Sequence, residues 1–372
     1  MTVFLFTALF FGYIYEDIDS LLVANDTLTM CGNHQYLCKV HLKNYGELFV
    51  RAATGAVDST GWLVLNAPLI VITGSSSING SERGCKGAYL NSHPWGYGPG
   101  GGNAGGVSGG GGGGGAYGGD GGIGGDNYGG AGGTAYGDSA DTLVEMGSGG
   151  GAGRLSVVDG TGGSGGGSVS LRGTVIGIDS SDILVRGQRG YDGSVEAGGG
   201  GAGGGLLIWA DTVLLHHVTI NATGGNGGDA PYGGGGGAGG GRIKILYVSV
   251  MDSLNTTFLA QGGNAGTGAY GNPQPGMPGS IYIGMHTSIH EIASVPRQTL
   301  VIQPNPSKGV IQLQTTCLPT DIHVYDCTGR NVRTIYLAIR NELIDLRDLP
   351  PGVYFLNAPN AGRLLGKLII TR

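Results

Sequence analysis

Charge is scarce in this 372-residue chain: Asp, Glu, Lys and Arg make up only 12% of it, and the formal net charge is −6. No basic patch or run stands out, which excludes a nucleic-acid grip built on phosphate neutralisation. Aromatics are few as well, at 7%. The five cysteines, at 31, 38, 85, 317 and 327, show no CxxC or Cys/His spacing, so a zinc site is not expected. If the chain is exported, Cys31–Cys38 and Cys317–Cys327 are candidate disulfides that leave Cys85 over, and ordinary buried thiols are the alternative. No apolar run is long enough to cross a bilayer. The run Val3–Tyr15 is too short to span one and suits the h-region of a secretory signal peptide over residues 1–15. That segment lacks a Lys or Arg before the run and a small-x-small cleavage site after it, and a buried first strand or a mis-set start codon are the other readings.

What the chain has in excess is glycine, 82 residues against a usual share of about 7%. Glycine loses the most backbone entropy on folding, so such a chain stays disordered unless something organises it. The 40% apolar content shows where the organisation lies. Short apolar rows follow glycines: "GELFV" from Gly46, "GWLVL" from Gly61, "GRLSV" from Gly153, "GSVSL" from Gly167, "GLLIW" from Gly205, "GRIKI" from Gly241 and "GSIYI" from Gly279. The second and fourth residues of every row are apolar: Leu48/Val50, Leu63/Leu65, Leu155/Val157, Val169/Leu171, Leu207/Trp209, Ile243/Ile245 and Ile281/Ile283. That is period-2 alternation with one buried face. The last four anchors are spaced 38, 36 and 38 residues apart, and a second register repeats at Ile78, Ile183, Ile220 and Phe258. A fixed period carrying several short strands points to an all-β solenoid, a right-handed parallel β-helix over residues 16–297 with glycine-rich insertions. The glycine tracts should leave and re-enter at one corner and lie side by side in the extended, three-residue-per-turn form, the segment 96–153 being the largest. Unstructured glycine loops are the alternative.

Near Gln298 the composition becomes ordinary. "VIQLQT", "DIHVYD", "NVRTIYL", "ELIDL", "GVYFLNA" and "KLIITR" alternate between turn signals, which predicts a small antiparallel β-sandwich over 298–372. The motifs "NPSKG" at 305–309, "VYDCTGR" at 324–330, "LPPGVYFL" at 349–356 and "GKLIITR" ending at Arg372 resemble the type A sorting domain of the bacterial type IX secretion system. Asn305, Pro306, Gly309, Tyr325, Asp326, Gly329, Arg330, Gly352, Tyr354, Lys367 and Arg372 carry the resemblance, which covers about a fifth of the chain. It implies Sec export to the periplasm, recognition by the type IX machinery, and removal of the domain with attachment of the passenger to surface lipopolysaccharide. The repeat region also looks like the glycine-rich β-helical passengers of such proteins.

Little in the chain signals chemistry. "RIK" at 242–244 matches one element of a polygalacturonase pattern whose other elements are missing, so Arg242 and Lys244 read as outward residues flanking core Ile243. Asp179 and Asp182 sit in a turn-like stretch, and the adjacent His216 and His217 would point to opposite faces of a strand. "GGIGGDNYG" at 121–129 fits one copy of the calcium-binding nonapeptide, with Asp126 as ligand, but such sites need tandem copies. No cofactor is therefore expected, calcium being the one weak candidate, and no catalytic residue. The expected protein is a non-catalytic, exported bacterial surface or secreted protein that binds glycans or other surfaces. A polysaccharide lyase or hydrolase with a site assembled across rows, and a structural surface-layer component, are the alternatives.

Overall fold

The computed structural model describes residues 12–371 except 55–59, 90–92, 140, 155–158, 287–299, 316–319, 338–340 and 359–362. Among the described residues every regular element is a strand. The strands before residue 287 are β1 (Tyr13–Glu16), β2 (Ser20–Ala24), β3 (Thr27–Met30), β4 (Gly32–Gln35), β5 (Lys39–Lys43), β6 (Glu47–Val50), β7 (Trp62–Asn66), β8 (Leu69–Ile72), β9 (Ser77–Asn79), β10 (Ser168–Asp179), β11 (Asp182–Leu184), β12 (Gly205–His216), β13 (Thr219–Asn221), β14 (Arg242–Leu254), β15 (Thr257–Leu259) and β16 (Ser280–Met285). They form two sheets, one in the order β1-β2-β5-β8-β10-β12-β14-β16 with β4 and β7 alongside, the other β15-β13-β11-β9-β6-β3. All pairings in both are parallel except that of β1 with β2. The long β10 pairs through its first half with β7 and through its second half with β8.

The registers put like residues above like. One column runs Leu63, Val169, Leu206, Ile243, and a second, in the other sheet, Leu48, Ile78, Ile183, Ile220. All eight are fully buried, and burying each such side chain stabilises by about 1.5–3 kcal/mol. Two assignments from the sequence are corrected. Gly167 aligns with Gly204 rather than Gly205, because Ser168 pairs with Gly205 and Gly205 with Arg242. The core residues of that row are thus Leu206 and Ile208, not Leu207 and Trp209. The row "GELFV" belongs to the second register, since Leu48 pairs with Ile78. Leu155 and Val157 lie outside the described residues, and so do residues 1–11 of the expected signal peptide; Tyr13–Tyr15 stand exposed in β1.

The glycine tracts form a hydrogen-bonded lattice. Along Gly111–Ala116, residues 111 and 114 donate to Gly125 and Gly122, 112 and 115 to Ala197 and Gly200, and 113 and 116 to Asn103 and Gly100. Their carbonyls accept, in the same rotation, from Gly130 and Gly133, from Gly236 and Gly239, and from Gly151 and Ser148. The tract therefore has six neighbours and repeats every third residue, the period of the extended polyproline II helix. At most of its positions this packing has no room for a side chain, and a methyl is accommodated only at points such as Ala116 and Ala197. A Cβ at Gly112 would stand 2.2 Å from the Gly151 carbonyl oxygen, and one at Gly113 2.0 Å from that of Ala131. The backbone polar groups, which would otherwise be buried unpaired, satisfy one another across tracts.

The same insertion covers the outer face of the parallel strands. Arg242 and Lys244 do point away from core Ile243, but neither is solvated. Lys244 is only 1% exposed and its ammonium donates to the carbonyls of Asp138 (2.5 Å) and Leu143 (2.7 Å) and to Asp141 Oδ1 (2.6 Å). The Arg242 guanidinium donates to the carbonyls of Tyr136 and Gly137 and lies 5.5 Å from the centre of the Tyr117 ring. Leu207, Trp209 and Leu246 form a second apolar cluster there with Val144. Burial pushes the Asp141 carboxyl up, but hydrogen bonds from Lys244 and the Leu143 N–H outweigh it and hold it below its ordinary range.

The remaining strands are β17 (Leu300–Gln303), β18 (Val310–Thr315), β19 (Thr320–Tyr325), β20 (Asn331–Leu337), β21 (Asn341–Asp345), β22 (Gly352–Ala358) and β23 (Arg363–Ile370). They make two antiparallel sheets, β17-β18-β21 and β20-β19-β22-β23, which share a core of Ile311, Leu313, Ile322, Val324, Leu356 and Leu368.

Neither expected disulfide forms. Cys31 and Cys327 are free thiols, and Cys38 is disulfide-bonded, though not to Cys31. The extended β4 lies between positions 31 and 38 and carries the chain roughly 13 Å at about 3.3 Å per residue. A bridge needs Cα atoms within about 7 Å. Cys317 lies outside the described residues, and β19 separates its position from Cys327. Cys85 is buried, which pushes its thiol up to about 11.

Candidate functional site

The motif residues of the carboxy-terminal module fall into three structural groups. The first ties "NPSKG" to the last strand. Asn305 Nδ2 donates to the Lys367 carbonyl at 2.6 Å, and its Oδ1 accepts from the Ile369 N–H at 2.9 Å. Ser307 is 2% exposed; its N–H donates to the Ile369 carbonyl, and its own carbonyl accepts from the Thr371 N–H. Ser307 Oγ in turn donates to the Val310 carbonyl and accepts the Gly309 N–H. Gly309 has a φ of +93°, and a Cβ there would meet the Arg347 backbone at 2.9 Å. Lys367 contributes through its carbonyl, and Arg372 lies outside the described residues.

The second group is the turn after β19. Asp326 Oδ1 accepts from the Thr328 hydroxyl, the Thr328 N–H (2.9 Å) and the Arg330 N–H (3.1 Å), while Arg330 Nε donates to Oδ2 at 3.3 Å. The Thr328 hydroxyl, with those N–H groups, holds the Asp326 carboxyl below its ordinary range despite some burial. Gly329, φ +83°, closes the turn by donating its N–H to the Asp326 carbonyl. Tyr325, Asp326 and Gly329 line a shallow cleft of about 320 Å³ together with Cys327, Phe355 and Asn357.

The third is "LPPGVYFL". Tyr354, 5% exposed, packs in the core and donates its hydroxyl to the Pro350 carbonyl at 2.6 Å, which fixes the turn entering β22 at Gly352. The sequence motifs thus act as staples and turns rather than as reacting groups. Ser307 and Thr371 were not singled out from the sequence, although a small polar residue between Pro306 and a positive-φ glycine is a legible turn signal.

The passenger's titratable candidates do not converge. His216 Nε2 pairs with Asp252 Oδ2 at 3.1 Å and His217 Nδ1 with Asp179 Oδ1 at 3.3 Å, and all four side chains are at least 36% exposed. Asp182 Oδ1 accepts the Thr219 N–H instead. Asp126 has a φ of +75° and accepts the Asn127 N–H on Oδ1. Among the described residues no three His, Cys, Asp or Glu side chains group closely enough to hold a metal ion, and no helix is long and apolar enough to cross a membrane.

Residues 301–371 match the family described as the secretion system C-terminal sorting domain. No curated protein and no solved structure matches the chain.

Proposed function

We propose that this chain is an exported passenger protein, a right-handed parallel β-helix without catalytic activity that adheres to glycans or other surfaces and is delivered by its carboxy-terminal module. The observation that carries the reading is the match of residues 301–371, which identifies that module as a type IX secretion sorting domain and implies export to the cell surface or the extracellular space. Passage through Sec to the periplasm, removal of the module and attachment to surface lipopolysaccharide belong to the same proposal.

The winding is supported by the way strands in sequence alternate between the two parallel sheets, β9 to β10 to β11 to β12 to β13, with like residues in register. Binding rather than catalysis is supported by the surface. The His–Asp pairs stand exposed on the outside, where water screens them and nothing excludes it from a reacting bond. Tyr191, Tyr232 and Tyr270 are each about half exposed, and the rings of the last two stack with centroids 5.5 Å apart, a flat apolar face of the kind sugars pack on.

The test is mass spectrometry of both termini of the mature protein from surface and supernatant fractions of its native host. The expected species starts near residue 16 and ends before about residue 300. An intracellular protein retaining Met1 and Arg372 overturns the proposal.

A further inference from the structure

We propose that the outer face of the parallel sheet from β2 to β14 packs against the same face of a second copy of the chain, in a two-fold dimer whose axis runs along the strands. The parallel sheets turn three surfaces outward, and only one of them is apolar and uncapped. The first, over the leading halves of β10, β12 and β14, is covered by the insertion through Arg172, Arg242, Lys244 and Trp209. The second lies outside the other sheet and is polar: Thr27, Glu47, Ser77, Asp182, Thr219 and Thr257 align there in one column. The third is built by β2, β5, β8 and the trailing halves of β10, β12 and β14. Val40, Ile70, Ile176 and Val213 of these strands sit in the core, so by alternation their neighbours point outward. Those neighbours are largely aliphatic: Leu22, Leu69, Val71, Val175, Leu214 and Val250. The registers set them side by side in two adjoining columns, one from Lys39 to Val250 and one from Leu22 to Asp252. All six stay partly exposed, Val250 to 44%, and nothing stands within 4 Å of the missing Cβ of Gly177 at the centre. A contiguous apolar patch of this extent on a soluble surface marks an interface.

Charge selects the occupant and its orientation. Basic groups gather toward one end of the face, where Lys39, His41 and Lys43 project together from β5. They repel one another: burial, then the two lysines, pull the His41 imidazole down to about 4, and burial, then Lys43, lowers the Lys39 ammonium. Carboxylates stand toward the other end, Asp179 on β10 and Asp252 on β14, 57% and 59% exposed beside His217 and His216. A two-fold axis across the strands would set β5 over β5, and lysine over lysine. An axis along the strands reverses the order of the stack instead. With that axis at the β8–β10 seam, β5 lies over β12 of the second copy, between its Asp179 and Asp252, and the aliphatic columns meet at the centre. The surface is thus complementary to itself, as a two-fold interface requires. Stacked sheets pack about 10 Å apart with their strands nearly aligned, which this arrangement allows. Six strands about 4.8 Å apart, each contributing roughly 15 Å, bury on the order of 1,000 Å² over both copies. That is the lower limit of a specific interface, so the dimer should be weak and reversible.

The dimer is independent of what the passenger binds and of how the chain is exported. Its test is sedimentation velocity of the full chain at neutral pH, over about 1 to 200 µM. The wild type should associate reversibly to a dimer, and less so in about 0.5 M salt. Leu214→Glu, which places a charge on the apolar face, should weaken association at least tenfold, and Lys43→Glu should do the same through the charged end. Adding Asp179→Lys to Lys43→Glu should restore the dimer, because the two reversed charges then face each other across the axis. All three substitutions are at outward positions, so thermal unfolding of the variants should match the wild type, which separates lost association from lost folding. A wild type that stays monomeric throughout the range overturns the dimer. Unchanged association of both Leu214→Glu and Lys43→Glu overturns the face, and failure of Asp179→Lys to restore the dimer overturns the orientation.

Discussion

Glycine serves two physical purposes in this molecule, and the lattice and one turn of the sorting module show each by itself. In the lattice around Gly111–Ala116 it is present because a Cβ would stand far inside van der Waals contact of a neighbouring carbonyl oxygen, 2.0 Å away at Gly113. The obstacle there is backbone, fixed by hydrogen bonds on every side, so it cannot yield. At the turn after β19 in the sorting module glycine is present because the chain turns. Gly329 has a φ of +83° but nothing within 4 Å of its missing Cβ. The first kind is a packing requirement set by tracts far away in sequence; the second is a dihedral requirement set by its own turn.

Gly113→Ala should give the largest effect, a loss of more than about 4 kcal/mol, seen as disruption of the lattice in hydrogen exchange while the module's amides keep their protection. Equal protection across residues 100–152 in the variant would break the comparison. Lys244→Met comes next. It leaves carbonyls of the covering segment unpaired, while the partly exposed Asp141 can rehydrate, so a loss of roughly 2 kcal/mol is expected in denaturant unfolding. Gly329→Ala should cost only about 1 kcal/mol, the price of a left-handed backbone for a residue with a Cβ. Gly177, in β10, has neither obstacle: nothing lies within 4 Å and no positive φ is recorded. Gly177→Ala should therefore be neutral or stabilise by up to about 1 kcal/mol in the same unfolding series.

The sorting module was the more legible region. Its strands are short and alternate between turn signals that are local in sequence, so "VIQLQT", "NVRTIYL" and "GVYFLNA" coincide with β18, β20 and β22. The second register of the passenger, Ile78, Ile183, Ile220 and Phe258, was legible from equally local signals: each apolar residue follows a polar one, Ser77, Asp182, Thr219 and Thr257, which marks the face. The row "GLLIW" defeated that reading because it is apolar on both faces, and in an unbroken run of glycines the anchor can slip by one.

The sequence by itself determined what nearest neighbours can encode: period-2 apolar columns, the turns at Gly309 and Gly329, and the ordered motifs that identify the sorting domain. The tertiary structure alone decided the rest. It gave the glycine tracts their six partners and buried Arg242 and Lys244 beneath residues 136–139 and 141–144. The reason is that a glycine has no side chain with which to specify its neighbour. Its partners are chosen by where the parallel strands on either side hold the tract ends, and that placement exists only once the strands have stacked.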